Sequence, residues 1–120
     1  MAERKRLFLK VLKAELEDCL GDVEDLANLY DQKHCCEEIT NYVYSENQAL
    51  LKREFAGLKT LVQSIDDVAL DRYDSVDDLA AEVDAMMQKK VVEFDDPAAV
   101  YGIAKRKLLK VLRYTMEGSS

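Results

Sequence analysis

The amino-acid sequence predicts an all-α protein: an antiparallel up-down helical bundle of about four helices, with a long first hairpin and two shorter helices. Three observations carry this prediction. Apolar residues recur at steps of three and four through most of the chain, and no alternating strand pattern runs for more than a few residues. Only one proline and four glycines interrupt 120 residues. The hydrophobic share, 48%, is too high for a disordered chain, and the length suits one domain. We expect residues 1–120 to form a single bundle domain with a frayed tail at 117–120.

The first stripe comprises Leu9, Leu12, Leu16, Cys19 or Leu20, Val23, Leu26 and Tyr30, and predicts a helix from about 2 to 31. Gly21 stands inside it, and a glycine there costs about 1 kcal/mol relative to alanine, so the helix can kink or break at that point. The stretch 31–38 loses the stripe and predicts a short connection. A second stripe of Ile39, Val43, Leu50 or Leu51, Phe55, Leu58, Val62 and Ile65 predicts a helix from about 37 to 66. The aspartate-dense stretch 66–74 then breaks the period. Ser75 is a good N-cap, with Asp78 as a weak capping-box acid, ahead of Leu79, Val83, Met86 and Met87; this helix reaches about 92. Asp95-Asp96-Pro97 is the sharpest boundary, an aspartate cap followed by proline at the first helical position. The last helix carries Val100, Tyr101, Ala104, Leu108, Val111, Leu112 and Thr115.

These lengths do not match. At about 1.5 Å per residue the first two helices are roughly 45 Å long and the last two nearer 30 Å. One bundle therefore leaves part of the long hairpin uncovered, with Leu26, Leu29, Tyr30, Ile39, Tyr42 and Val43 at its tip as a candidate protein interface. The expected occupant is a second copy, giving a homodimer, or another protein. The bland alternative is that Gly21 breaks the first helix and the chain folds back on itself. Tyr42 and Tyr44, set among Asn41, Ser45, Asn47 and Gln48, bring apolar area together with a polar handle.

Lysine and arginine number 17 against 24 acids, a net charge of −7. Residues 1–13 and 105–120 each carry +4, which leaves −15 for the middle. An up-down bundle gathers both ends. It brings Arg6, Lys10 and Lys13 on one helical stripe towards Arg106, Lys110 and Arg113 on another, a candidate basic patch. The loop holding Asp66, Asp67, Asp71, Asp74, Asp77 and Asp78 arrives at the same end, so internal neutralisation is the favoured expectation. The competing reading is a small regulatory nucleic-acid-associated factor using the basic stripes. It is disfavoured by the acidic total and by the lack of aromatics interleaved with the bases.

No motif points to catalysis. His34-Cys35-Cys36 is the one cluster of soft ligands, but adjacent cysteines chelate poorly and no second pair follows. Cys19 is too far along the helix to pair with Cys35 or Cys36 unless Gly21 folds the chain back, and reads as a small core residue. The acid pairs sit at helix starts or in loops, where aspartate is favoured as a cap. A single histidine excludes paired Glu-x-x-His iron ligands, and no phosphate loop or nucleophile elbow occurs. We therefore expect no cofactor, no metal, no catalytic residue and no enzyme. No apolar run approaches the roughly 20 residues of a spanning helix, and lysines interrupt the basic start before a signal-peptide core can form. With three cysteines in no disulfide pattern, the chain reads as cytoplasmic. The sequence thus points to a non-enzymatic helical interaction or assembly protein, self-associating through its N-terminal hairpin.

Overall fold

In the computed structural model, which describes residues 2–117, the chain forms four helices packed against each other, with no strand among the described residues. They are α1 (Ala2–Cys35), α2 (Asn41–Ile65), α3 (Val76–Glu93) and α4 (Ala98–Glu117), and a single 3₁₀ turn, Leu70–Arg72, lies between α2 and α3. Of the tail expected to fray, Glu117 is helical and residues 118–120 lie outside the described residues.

Helix α1 runs unbroken through Gly21, an exposed position with no neighbour within 4 Å of where a Cβ would stand. Burial of Leu16, Cys19 and Val23 on either side outweighs the roughly 1 kcal/mol penalty of one glycine. The chain therefore does not fold back at this point. The buried stripe of α1 is Phe8, Leu12, Leu16, Cys19 and Val23; Phe8 opens it, and Leu9 is only half-buried.

Helix α1 also runs four residues past its expected end, because a C-terminal motif holds it. Glu38 N–H donates to Lys33 O at 2.8 Å and Glu37 N–H to His34 O at 3.1 Å, with Glu37 in the left-handed region at φ 60°. Helix α2 starts later than its stripe suggests, where the Thr40 hydroxyl accepts from Val43 N–H at 3.2 Å. Ser75 caps α3 as its sequence position predicts, accepting from Asp78 N–H at 3.1 Å. Helix α3 closes with the same motif as α1: Asp96 N–H donates to Val91 O at 3.0 Å and Asp95 N–H to Val92 O at 3.2 Å, with Asp95 at φ 51°. Pro97 then stands at the boundary itself, one residue before α4, and Asp96 makes no capping bond. Its Oδ2 is buried without a hydrogen-bond partner, because the carboxyl group is wedged against Gly57, where an added Cβ would lie 2.9 Å from Asp96 Cγ.

The start of α1, the 66–75 connection and the end of α4 share one end of the bundle. There Lys5 Nζ donates to Leu70 O at 3.0 Å and Tyr73 O at 2.7 Å, and Lys13 Nζ meets Asp66 at 2.8 Å. Helices α3 and α4 reach only partway along the α1/α2 hairpin. Val23 is the last buried residue of α1 and Leu51 the first of α2, so the stretch 24–50 contains none. The structure extends 54 Å, well beyond the roughly 30 Å of the two short helices.

Candidate functional site: the uncovered face of the hairpin

Beyond the core, polar side chains close the seam between α1 and α2. Tyr44 Oη donates to Asp31 Oδ1 at 2.6 Å, and Gln48 Nε2 donates to the same oxygen and to Ala27 O, both at 3.0 Å. His34 Nε2–H donates to Asn41 Oδ1 at 2.6 Å, and its ring stacks on Tyr44 at 4.1 Å with an interplanar angle of 11°. The hydrogen bond to Asp31 holds the Tyr44 proton and raises its pKa above the usual phenol value. Near water these bonds do what apolar packing does lower down: they fix two helices side by side.

One side of this zipped hairpin is apolar and open. On α2, Val43, Leu50 and Gly57 recur at steps of seven and share a stripe. Helix α4 covers that stripe at Gly57, through Val100, and leaves Leu50 and Val43 exposed. On α1, Glu15, Asp22 and Leu29 form the matching stripe. Lys110 of α4 bonds Glu15 at 2.9 Å, whereas Leu29 is 43% exposed and its neighbour Leu26 40%. The result is a ledge of Leu26, Leu29, Val43 and Leu50, continuing the face that α4 buries farther down. At its foot is a cleft of about 380 Å³, whose floor includes Cys19, Val23, Leu51 and Ile103 and whose rim includes Arg106.

Of the six residues expected at the tip, Leu26, Leu29 and Val43 lie on this ledge. Tyr30 and Ile39 are half-buried, and Tyr30 packs against the core. Tyr42, 74% exposed, is about 100° round the helix from Val43 and points off the ledge. Leu50 belongs to the ledge but not to the expected set. Its stripe could be read through either Leu50 or Leu51, and burial selects Leu51 for the core.

The basic residues are not brought onto one surface. Lys13 bonds Asp66 beside α2, while Glu15, two residues on, bonds Lys110 of α4 at 2.9 Å and Lys107 at 3.6 Å. A two-residue step turns a helix by about 200°, so the α1 and α4 stripes lie on opposite flanks of α1. Arg6, Lys10, Arg106 and Arg113 are exposed and make no ion pair among the described residues. Among the described residues the aspartates of the acidic connection form one ion pair, through Asp66, while other bases are held by Glu15 and by Asp84, which bonds Lys105 at 2.8 Å. The hydrogen bond from Lys110, with the nearby charge of Lys107, lowers the Glu15 pKa. Burial raises that of Asp84, but hydrogen bonds from Lys105 and Tyr101 outweigh it and leave Asp84 below its usual range.

No family model, curated protein or solved structure matches this chain. The ledge is therefore weighed on its own chemistry. Among the described residues no group of three His, Cys, Asp or Glu side chains could hold a metal ion, and no helix is long and apolar enough to cross a membrane. Cys19 is buried in the core, and burial raises its thiol pKa, whereas Cys35 and Cys36 are exposed at the free end of the hairpin.

Proposed function

We propose that this chain is a non-enzymatic interaction protein that self-associates through its N-terminal hairpin, the ledge of one copy covering that of another. The observation that supports it is the abrupt end of the core. Helices α3 and α4 stop near Val23 and Leu51, while the apolar stripes of α1 and α2 continue through Leu26, Leu29, Val43 and Leu50. Apolar surface presented on two helices already locked by hydrogen bonds can dock without reorganising, which removes a cost that flexible segments carry. A second copy is the natural occupant because it offers the same two-helix face, and a two-fold contact completes four helices at the tip. A cytoplasmic setting accompanies this reading, since the exposed neighbouring thiols of Cys35 and Cys36 persist in a reducing compartment.

The nucleic-acid reading has less support. Its two basic stripes stand on opposite flanks, and Lys13 and Lys110 are engaged by carboxylates. Sedimentation velocity between 1 and 100 µM (roughly the range of modest interfaces) tests the proposal. The expected species has twice the 13.7 kDa chain mass, and Leu29→Asp shifts it towards the monomer. A wild-type monomer throughout that range overturns it.

A further inference from the structure

Cys35 is the last residue of α1 and Cys36 follows it directly, and both thiols are exposed and free. They sit inside the hydrogen bonds that end the helix. Cys36 N–H donates to Gln32 O at 3.1 Å, while the bonds from Glu37 N–H to His34 O and from Glu38 N–H to Lys33 O span the pair. One residue earlier, His34 fastens α1 to α2 through Asn41 Oδ1 at 2.6 Å and through its stack on Tyr44. Adjacent thiols can pair with each other only by closing a ring through their shared peptide. Their Cα atoms stand about 3.8 Å apart across a trans peptide, short of the roughly 4.4–6.8 Å usual for a disulfide. Successive side chains on a helix also diverge by about 100°. The reduced pair therefore fits the end of α1, and the closed ring does not.

We propose that Cys35 and Cys36 form a redox-responsive latch: a disulfide between them unwinds the last turn of α1 and frees His34, so that the hairpin parts at its tip. The oxidant is a low-molecular-weight disulfide of the glutathione type. One cysteine thiolate attacks it, which forms a mixed disulfide and expels one thiolate. The neighbouring thiolate then attacks the protein sulfur of that mixed disulfide and expels the second. The two protons lost by the protein thiols pass to the two released thiolates, and the oxidant's S–S bond is exchanged for the protein's. Because the folded tip opposes the ring, this bond is readily reduced again, as labile regulatory disulfides are and structural ones are not. The pair stays a dithiol while the surrounding thiol pool is reduced and closes as disulfide accumulates. Self-association is not needed for the latch to work.

The test equilibrates the full chain in mixtures of reduced and oxidised glutathione and reads it by mass spectrometry and amide hydrogen exchange. The oxidised chain should be about 2 Da lighter, with the bond mapped to Cys35 and Cys36 and the Cys19 thiol retained. Amides of residues 30–48 should then exchange at least about tenfold faster, while those of the core keep their protection. Cys35→Ser can take up only a mixed disulfide at Cys36, and its exchange should match that of the reduced chain. Coupling of this kind is reciprocal. His34→Ala removes the latch contacts without disfavouring the helix, so its dithiol should close at a glutathione ratio at least about threefold more reducing than the wild type requires. Oxidation that yields only mixed or inter-copy disulfides overturns the proposal. So does a closed ring that leaves exchange at residues 30–48 unchanged, a Cys35→Ser mixed disulfide that speeds it equally, or a His34→Ala equilibrium identical to the wild type.

Discussion

Lys5 reaches across the closed end of the bundle and donates to Tyr73 O at 2.7 Å, as well as to Leu70 O at 3.0 Å, although the residue is only 8% exposed. A buried ammonium held by two backbone carbonyls ties the first turn of α1 to the connection between α2 and α3. Lys5→Met keeps much of the stem but leaves both carbonyls without this donor. Hydrogen bonds from charged groups are worth about 1.5–3 kcal/mol each, so we expect a loss of about 2–3 kcal/mol. Urea denaturation measures it, and an unchanged midpoint would show that the contact contributes nothing.

Gly21 and Gly57 should respond to alanine in opposite senses. At Gly21 the added methyl meets nothing within 4 Å, so Gly21→Ala stabilises by about 1 kcal/mol through helix propensity alone. At Gly57 it would lie 2.9 Å from Asp96 Cγ and 3.0 Å from Val100 Cγ2, both at the start of α4. Overpacking of this kind costs about 1–3 kcal/mol, more than the propensity gain. Thermal melts of the two variants should move in opposite directions.

The left-handed residues that end α1 and α3 are acidic, where glycine is the usual occupant. Asp95 holds φ 51° while its carbonyl accepts from Arg53, a bond that needs no side chain. A left-handed backbone costs an ordinary residue about 1–2 kcal/mol. Asp95→Gly relieves this at some cost in unfolded-state entropy, and a net gain of about 0.5–1 kcal/mol is expected by chemical denaturation.

Asp84 makes stability depend on acid. Its folded pKa lies below the ordinary 3.8, so its contribution is present above that value and is lost as pH falls through the folded pKa. Glu15, also lowered, acts in the same direction. Lys105, raised by its hydrogen bond to Asp84, contributes below its ordinary 10.5 and loses that contribution as pH rises through the folded value. Urea midpoints for wild type and Asp84→Asn should differ at pH 6–8 and converge only as pH falls below 3.8 through the folded pKa. A gap that stays constant across this range refutes the assignment.

The thiols should divide by place. Cys35 and Cys36 are exposed, while burial shields Cys19 and raises its pKa, which suppresses the reactive thiolate. Two cysteines should react promptly with a thiol reagent at pH 8 in native protein, and the third only in denaturant. Three equally fast thiols would contradict the buried position of Cys19.

Periodicity and capping chemistry were enough to read four helices, the Ser75 cap and the mismatch between a long hairpin and two short helices. Each of these depends on residues a few positions apart, whose relation is settled by the 3.6-residue turn. The choice of Leu51 over Leu50, of Phe8 as the first core residue, and of Glu15 rather than the aspartate-rich connection as the partner of Lys110 belongs to another level. A stripe fixes angles within one helix but leaves open how that helix rotates and slides against its neighbours. Those offsets are settled where side chains interlock, as Val100 and Asp96 do against the bare backbone of Gly57. The same offsets determine where α4 stops covering the hairpin, and so which residues form the ledge and which charges stand at its foot.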